Sequence, residues 1–270
     1  MSRSLLFVLS VVVGCGGAAA PVARPERAEP PQLWMQVAGQ GDVTVVFEAG
    51  GGDDSSVWAS IEPEVRRANG VRTVLYDRAG LGKSAPAPGP YRIDHEATAL
   101  SRALDRFSIK APIVLVAHSY GGFVATLLAA SDARVAGVVL VDANLAAFFD
   151  DAELARLQAK YRPQFAALQQ AKPALARVMI PVIEAYPDTA KRVRAAVYPA
   201  ALPTIDIVAE HSWGDSDEEN AAMRRVHDAF VAASPARTAV VAVGSGHQVM
   251  KDQPQIVIDA IAQIIRRVRS

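Results

Sequence analysis

Residues 113–122 read Ile113-Val114-Leu115-Val116-Ala117-His118-Ser119-Tyr120-Gly121-Gly122, an apolar run that ends in a serine framed by small residues. The unbroken apolar stretch Ile113 to Val116 predicts a short strand buried on both faces. Phe123 to Ala130, with apolar Phe123, Val124, Leu127 and Leu128, predicts a helix. Ser119 therefore falls on a strand-to-helix turn. Lifting its hydroxyl clear of the backbone needs a strained conformation that costs roughly 1–3 kcal/mol, and the residues two positions to either side must be small. Ala117 and Gly121 meet that demand. Gly122 lets the following helix approach the sheet, and free amides in its first turn favour negative charge on a bound oxygen. A string of small residue, any residue, serine, any residue, glycine arises by chance in many chains. The strand before it and the helix after it point instead to a nucleophile.

Outward from this turn, apolar runs recur at Val43–Phe47, Val71–Tyr76, Val138–Val141, Ile205–Val208 and Thr238–Val243. Helical patterns separate them. The clearest is at the end, where Val257, Ile258, Ile261, Ile264, Ile265 and Val268 share one face at 3.6-residue spacing. Such alternation predicts an α/β fold, a mostly parallel sheet with helices on both sides and ligand chemistry at the carboxyl ends of the strands. The 270 residues, 51% of them hydrophobic, fit one domain of that class. Equal numbers of basic and acidic side chains, 28 of each, give no electrostatic case for nucleic acid or a strongly charged partner.

Two further loops fall at strand ends. Ala49-Gly50-Gly51-Gly52-Asp53-Asp54 follows the strand ending at Phe47-Glu48 and leaves backbone amides uncovered. Fixed N–H donors aimed at a developing oxyanion are worth about 3–4 kcal/mol each. Gly51 is the choice for one donor and Tyr120, next to the serine, for the other; alone, the loop would read as a flexible glycine-rich connection. The second loop is Gly244-Ser245-Gly246-His247, which follows the last strand and precedes a helix with Asp252 as its expected cap and Pro254 in its first turn. A histidine there can turn back over the sheet edge and shuttle the serine proton, because imidazole titrates near neutrality. The other four histidines carry weaker arguments: His95 opens a helix, His118 occupies the variable position of the serine turn, His211 sits in a loop and His227 in a helix.

The combination resembles the α/β-hydrolase superfamily from about Leu33 to the C-terminus. Besides the serine turn, Tyr76-Asp77-Arg78-Ala79-Gly80-Leu81-Gly82-Lys83-Ser84 is similar to the family's loop after its fourth strand, and Ser245-Gly246-His247 through Pro254 to its histidine segment. Ala117 stands where a glycine is usual, and Ala49-Gly50 where many members have His-Gly; neither change removes a catalytic group. Gly82-Lys83-Ser84 is also similar to the end of a nucleotide-binding loop, but Asp77 occupies the position that needs its first glycine. The resemblance implies a core of residues 33–145 and 202–270, with a helical cap, 146–201, inserted after the sixth strand. In that alanine-rich segment Leu154, Leu157, Tyr161, Phe165 and Leu168 form an apolar stripe interrupted at Pro163.

For the acid that orients His247 the residues leave two choices. Asp142 closes the strand Val138–Val141, and a rigid strand end positions a side chain better than a loop does. Asp215 lies beyond Ile205–Val208, nearer the place more family members use, with Asp217 close by. Asp142 is preferred and Asp215 is the alternative; as plain structure, the first would brace its loop and the second would belong to an acidic helix start. The resemblance implies a serine hydrolase of an ester-like small molecule (carboxylic ester, thioester or amide), acting through an acyl-enzyme with Ser119, His247 and Asp142. It implies no metal and no organic cofactor. The competing reading is a lipid-anchored binding protein that uses the fold without turnover.

The N-terminus reads separately. Arg3 precedes the apolar run Leu5 to Val13, too short to span a membrane comfortably, which is expected to be a signal peptide over residues 1–14. Val12-Val13-Gly14-Cys15 is similar to the bacterial lipoprotein signal, whose cysteine becomes the lipidated first residue; Ala18-Ala19-Ala20 offers a competing cleavage site for simple secretion. Either route expects the mature chain outside the cytoplasm, with a lipid anchor at Cys15 in the first case. Residues 15–32, rich in proline, alanine and charge, read as a tether. Cys15 is the only cysteine, so no intramolecular disulfide is available.

Overall fold

The computed structural model describes residues 31–110 and 112–270. The expected signal peptide, Cys15 and nearly all of the expected tether lie outside the described residues. In chain order the elements are β1 (Met35–Ala38), β2 (Thr44–Glu48), α1 (Glu62–Asn69), β3 (Arg72–Tyr76), α2 (Ile93–Arg106), β4 (Ile113–His118), α3 (Gly121–Ser131) and β5 (Val135–Val141). There follow α4 (Asp151–Tyr161), α5 (Phe165–Ala171), α6 (Pro173–Glu184), α7 (Tyr186–Ala195), β6 (Thr204–His211), α8 (Asp217–Ala232), β7 (Arg237–Gly246), α9 (Val249–Asp252) and α10 (Pro254–Arg269). The strands form one sheet in the order β1-β3-β2-β4-β5-β6-β7. All neighbours are parallel except β1 and β3. This is the α/β-hydrolase fold.

Strand periodicity sorts the core into two layers. Val46, Val74, Leu115, Ala117, Val138 and Leu140 face the side covered by α2, α3 and the helical insertion. Their neighbours Val45, Phe47, Val114, Val116, Val139 and Val141 face the side covered by α1 and α10. Burial on both faces explains why the central strands are apolar without alternation. The apolar face expected at the C-terminus is the inner face of α10, where Val257, Ile258, Ile261, Ile264 and Ile265 are buried.

Several elements differ from the sequence expectation. β1 is an edge strand with Gln36 and Val37 exposed, too short and too mixed to announce itself by pattern. β7 runs past Val243 to Gly246, and β6 runs on to His211, which thus closes a strand instead of sitting in a loop; His211 and Gly246 pair across an irregularity in the register. Asp252 is not the cap of α10. That position is Gln253, with no side-chain cap bond, while the Asp252 carboxylate accepts the Gly246 amide at 2.9 Å and so steadies the segment before His247. The insertion, α4 to α7, leaves after β5, the fifth strand among the described residues, and returns to β6. Its apolar stripe breaks at a 3₁₀ turn, Arg162–Gln164, around Pro163 as expected.

The topology places the ends of β2, β3, β4, β5 and β7 along one edge of the sheet. The loops holding Gly51, Asp77, Ser119, Asp142 and His247 therefore meet there. The Asp77 loop is self-braced: the carboxylate accepts the Ser55 amide at 2.9 Å and the Lys83 amide at 2.8 Å. The Lys83 ammonium lies 4.1 Å over the Trp34 ring. Ile261, fully buried between α10 and the sheet, tests the second core layer. Ile261→Ala should lower the unfolding free energy by about 2–5 kcal/mol, read as a lower urea midpoint at unchanged slope.

Candidate active site

Ser119 is held with φ +51, in the left-handed region that a side chain rarely adopts. Packing on every side imposes that conformation. The Ser119 amide donates to Val141 O at 3.3 Å, and its carbonyl accepts from Gly122 N at 2.9 Å and Asn144 N at 2.8 Å. A Cβ on Gly121 would stand 2.5 Å from Glu48 Cγ, and one on Gly122 would stand 2.8 Å from Ala143 Cβ and from Asn144 O. The two glycines after the serine are thus required by close approach of β2 and of the loop after β5.

His247 follows β7 and reaches both partners. Its Nε2 lies 3.0 Å from Ser119 Oγ and its Nδ1 lies 2.6 Å from Asp142 Oδ2. Asp142, itself at φ +42, is 2% exposed. Its Oδ1 accepts the Ala209 amide at 3.0 Å, and Oδ2 also accepts the Ser212 hydroxyl at 2.6 Å. Burial pushes its pKa up, but the hydrogen bond and charge of His247, then Ser212 and the Ala209 amide, more than offset this and hold it below the ordinary carboxylate value. An ionised Asp142 keeps the imidazole proton on Nδ1 and leaves the Nε2 lone pair facing the serine hydroxyl.

Asp215 is elsewhere. It is exposed and pairs with Lys160 Nζ at 2.6 Å and Arg156 Nη1 at 3.0 Å, and no hydrogen bond of His247 goes to it. Asp217 begins α8, whose cap is Ser216. The amides of Gly51 and Tyr120 have no hydrogen-bond acceptor among the described residues. A Cβ on Gly51 would lie 3.4 Å from Tyr120 Cβ, so the two candidate donors are side by side. Helix α6 crosses above them, its Met179 3.7 Å from the same point. Among the described residues no group of three or more His, Cys, Asp or Glu is arranged to hold a metal ion.

Two participants had no sequence signal. Ser212 is one hydroxyl in a loop, and only the return of β6 beside β5 brings it to Asp142. His118 stands at the variable position of the turn, yet it is 1% exposed and its ring centroid lies 4.6 Å from that of His247. Its Nε2 donates to the His247 carbonyl at 3.0 Å, since a carbonyl only accepts. That leaves Nδ1 unprotonated, buried and without a partner, facing Gly50. Burial, then repulsion from His247, lowers its pKa from 6.5 to about 3. His118 is therefore a neutral brace under the backbone of His247.

The model of the alpha/beta hydrolase family matches residues 45–260. Among curated proteins, an uncharacterized protein of Bacillus subtilis, YqjL, is 35% identical over 108 residues, 40% of this chain and 42% of that protein. The chain thus spans under half the length of this relative. Among solved structures, an esterase from Thermogutta terrifontis superposes with TM-score 0.66 at 22% identity, covering 89% of this chain and 95% of that one. Cfl2 from Burkholderia cenocepacia superposes with TM-score 0.65 at 19% identity, covering 89% and 94%. At these identities the structures share the fold.

Because His118 is held neutral when folded, the stability this provides is complete above pH 6.5 and is lost as pH falls toward 3. Between pH 6.5, where the unfolded imidazole is already half protonated, and pH 5 the parent chain should lose about 1.6 kcal/mol more than His118→Gln. Denaturant titrations of both proteins at the two pH values measure the difference, and all other titrating groups cancel.

Proposed function

The chain belongs to the alpha/beta hydrolase family, and from that premise we propose that it is a serine hydrolase of an ester-like small molecule. The observation that carries the reading is the pair of contacts made by one imidazole, 3.0 Å to Ser119 Oγ and 2.6 Å to Asp142 Oδ2. Ser119 Oγ attacks the substrate carbonyl while His247 Nε2 takes its proton, and Asp142 stabilises the imidazolium. The amides of Gly51 and Tyr120 receive the oxyanion. His247 returns the proton to the leaving alcohol, thiol or amine. Water, deprotonated by the same nitrogen, then releases the acid from the acyl-enzyme. The esterase activity named for the Thermogutta terrifontis structure agrees with this substrate class.

The helical segment 146–201 acts as the cap over a core of 33–145 and 202–270. Its Met179 near Gly51 supports an enclosed acyl site. The N-terminal reading completes the proposal: residues 1–14 direct export, and lipidated Cys15 tethers the enzyme outside the cytoplasm. The competing reading, ligand binding without turnover, gives no reason to hold Ser119 at φ +51, a conformation that costs on the order of 1–3 kcal/mol.

A fluorophosphonate probe should label the purified protein and fail to label Ser119→Ala, whose turnover of a chromogenic ester should fall by about 10⁶-fold; an unlabelled, well-folded parent rejects the proposal. Asp142→Asn should lose on the order of 10⁴-fold in kcat and Asp215→Asn almost nothing; the reverse pattern assigns the acid to Asp215. For the anchor, Cys15→Ala should move the protein from the membrane fraction to the soluble fraction. Unchanged partition removes the lipid from the proposal.

A further inference from the structure

Arg78, just past β3, is 6% exposed and makes no hydrogen bond to Ser119, His247 or Asp142. Its Nη1 donates to a Glu48 carboxylate oxygen and to Ala49 O at 2.6 Å, and its Nη2 donates to Gly50 O at 2.5 Å. Acceptors from three consecutive residues thus converge on one guanidinium. A buried cation costs several kcal/mol unless it is surrounded in this way, and a planar fork grips two neighbouring carbonyls in a fixed geometry that a flexible ammonium does not reproduce.

The consequence follows from peptide geometry. In a trans planar peptide the C=O of one residue and the N–H of the next point in opposite directions. Pinning Gly50 O to Arg78 therefore aims the Gly51 N–H away from Arg78, and that amide is the one without an acceptor, beside Tyr120. Gly50 to Gly52 carry no side chains that could fix the planes of their peptides. The remaining tie is the Asp53 amide, which reaches Gly50 O at 3.2 Å. A cation on the carbonyl also polarises the peptide and strengthens its N–H as a donor.

Arg78 is in turn held by acids. Glu48, at the end of β2, is 1% exposed, with its second oxygen unpartnered, and Glu96 on α2 is 9% exposed. Burial raises both carboxyls to about 7 against the pull of Arg78. The Tyr91 and Tyr120 hydroxyls, 2.5 Å apart, close the cluster, with the Arg78 guanidinium 5.6 Å from the Tyr120 ring centroid. Glu48 Cγ also occupies the space beside Gly121. One charge cluster therefore joins the glycine loop to the serine turn.

We infer that Arg78 is a positioning residue of the proposed reaction, which sets and polarises the Gly51 amide as an oxyanion donor through the Gly50–Gly51 peptide. The inference rests on the serine-hydrolase reading. It adds to that reading a buried cation that acts on the transition state without touching it.

The test compares the parent with Arg78→Lys, which keeps the charge and loses the two-carbonyl grip. A charge-balanced Arg78→Gln/Glu48→Gln pair serves in case the single variant does not fold. The expected result is a 10²–10³-fold fall in kcat on a chromogenic ester with KM within threefold. The affinity of an alkyl boronic acid, which forms a tetrahedral anion on Ser119, should fall in parallel. A folded variant with kcat within threefold of the parent overturns the inference, as does a kcat loss with unchanged boronate affinity. A parent chain that hydrolyses no ester fails the underlying reading instead. An active, Ser119-dependent parent with an indifferent Arg78→Lys fails this inference alone.

Discussion

The constraint on which the rest of the structure depends is the left-handed backbone at Ser119. A non-glycine residue stays there only if its surroundings leave no alternative, and here they are supplied by the two strands that flank β4. β5 accepts the Ser119 amide, the loop after β5 donates to its carbonyl, and β2 presses Glu48 against Gly121. The parallel order β2-β4-β5 is what brings these groups together. The sheet thus acts as the frame that forces one peptide unit into a conformation its sequence would not choose. Asp142, held at φ +42 on the next strand, repeats the device one position across.

Burial gives the site its electrostatic character. Asp142 remains a low-pKa acid because donors from His247, Ser212 and the Ala209 amide outweigh desolvation. His118, packed against the same imidazole, has only the His247 carbonyl as an acceptor, and burial with repulsion from His247 drives it neutral, its pKa lowered to about 3. Two groups packed around the same imidazole are thus each held in one charge state, Asp142 ionised and His118 neutral. Packing thus keeps His118 neutral beside His247.

What was legible in the sequence follows the range of the interactions involved. Ser119 and His247 could be read because each sits in a local pattern, strand-turn-helix in one case and strand-Gly-Ser-Gly-His in the other. The central strands could be read because burial on both faces makes them apolar throughout. β1 could not, since an edge strand with Gln36 and Val37 in solvent has no apolar pattern. The end of β7 was hidden by Gly244-Ser245-Gly246, where Gly244 turns to φ +76 and the strand resumes only through the pairing of Gly246 with His211 of β6. Asp252 looked like a helix cap by spacing, but the carboxylate found a nearer amide at Gly246. The choice between Asp142 and Asp215 was open because both follow strands. Only the fold shows that one is buried against His247 and the other is tied to Lys160 and Arg156 on the surface. The roles of His118, Ser212 and Arg78 could not be read from the sequence, for what matters about them is which groups they meet across the sheet edge: the His247 carbonyl, the Asp142 carboxylate and the carbonyls of Ala49 and Gly50.

The glycine loop shows how the fold divides its labour. Below, its carbonyls are gripped by Arg78, whose carboxylate partner Glu48 ends β2, with the charge of buried Glu96 on α2 nearby. Above, it meets Met179 and Leu175 of α6, which offer only apolar contact to Gly51 and Gly52. Hydrogen bonds to a charged group are directional and strong, whereas dispersion contacts are individually small and tolerant of shape. The direction of the Gly51 amide is therefore set by the core, and the shape of the space it faces is set by the insertion. Side chains of α6 can change what fits above the loop without turning the peptide beneath it. A core substitution at Arg78 or Glu48 turns the peptide whatever lies above. Glycine suits position 50 because a Cβ there would stand 2.7 Å from His118 Nδ1, and position 52 because its backbone lies at φ +78.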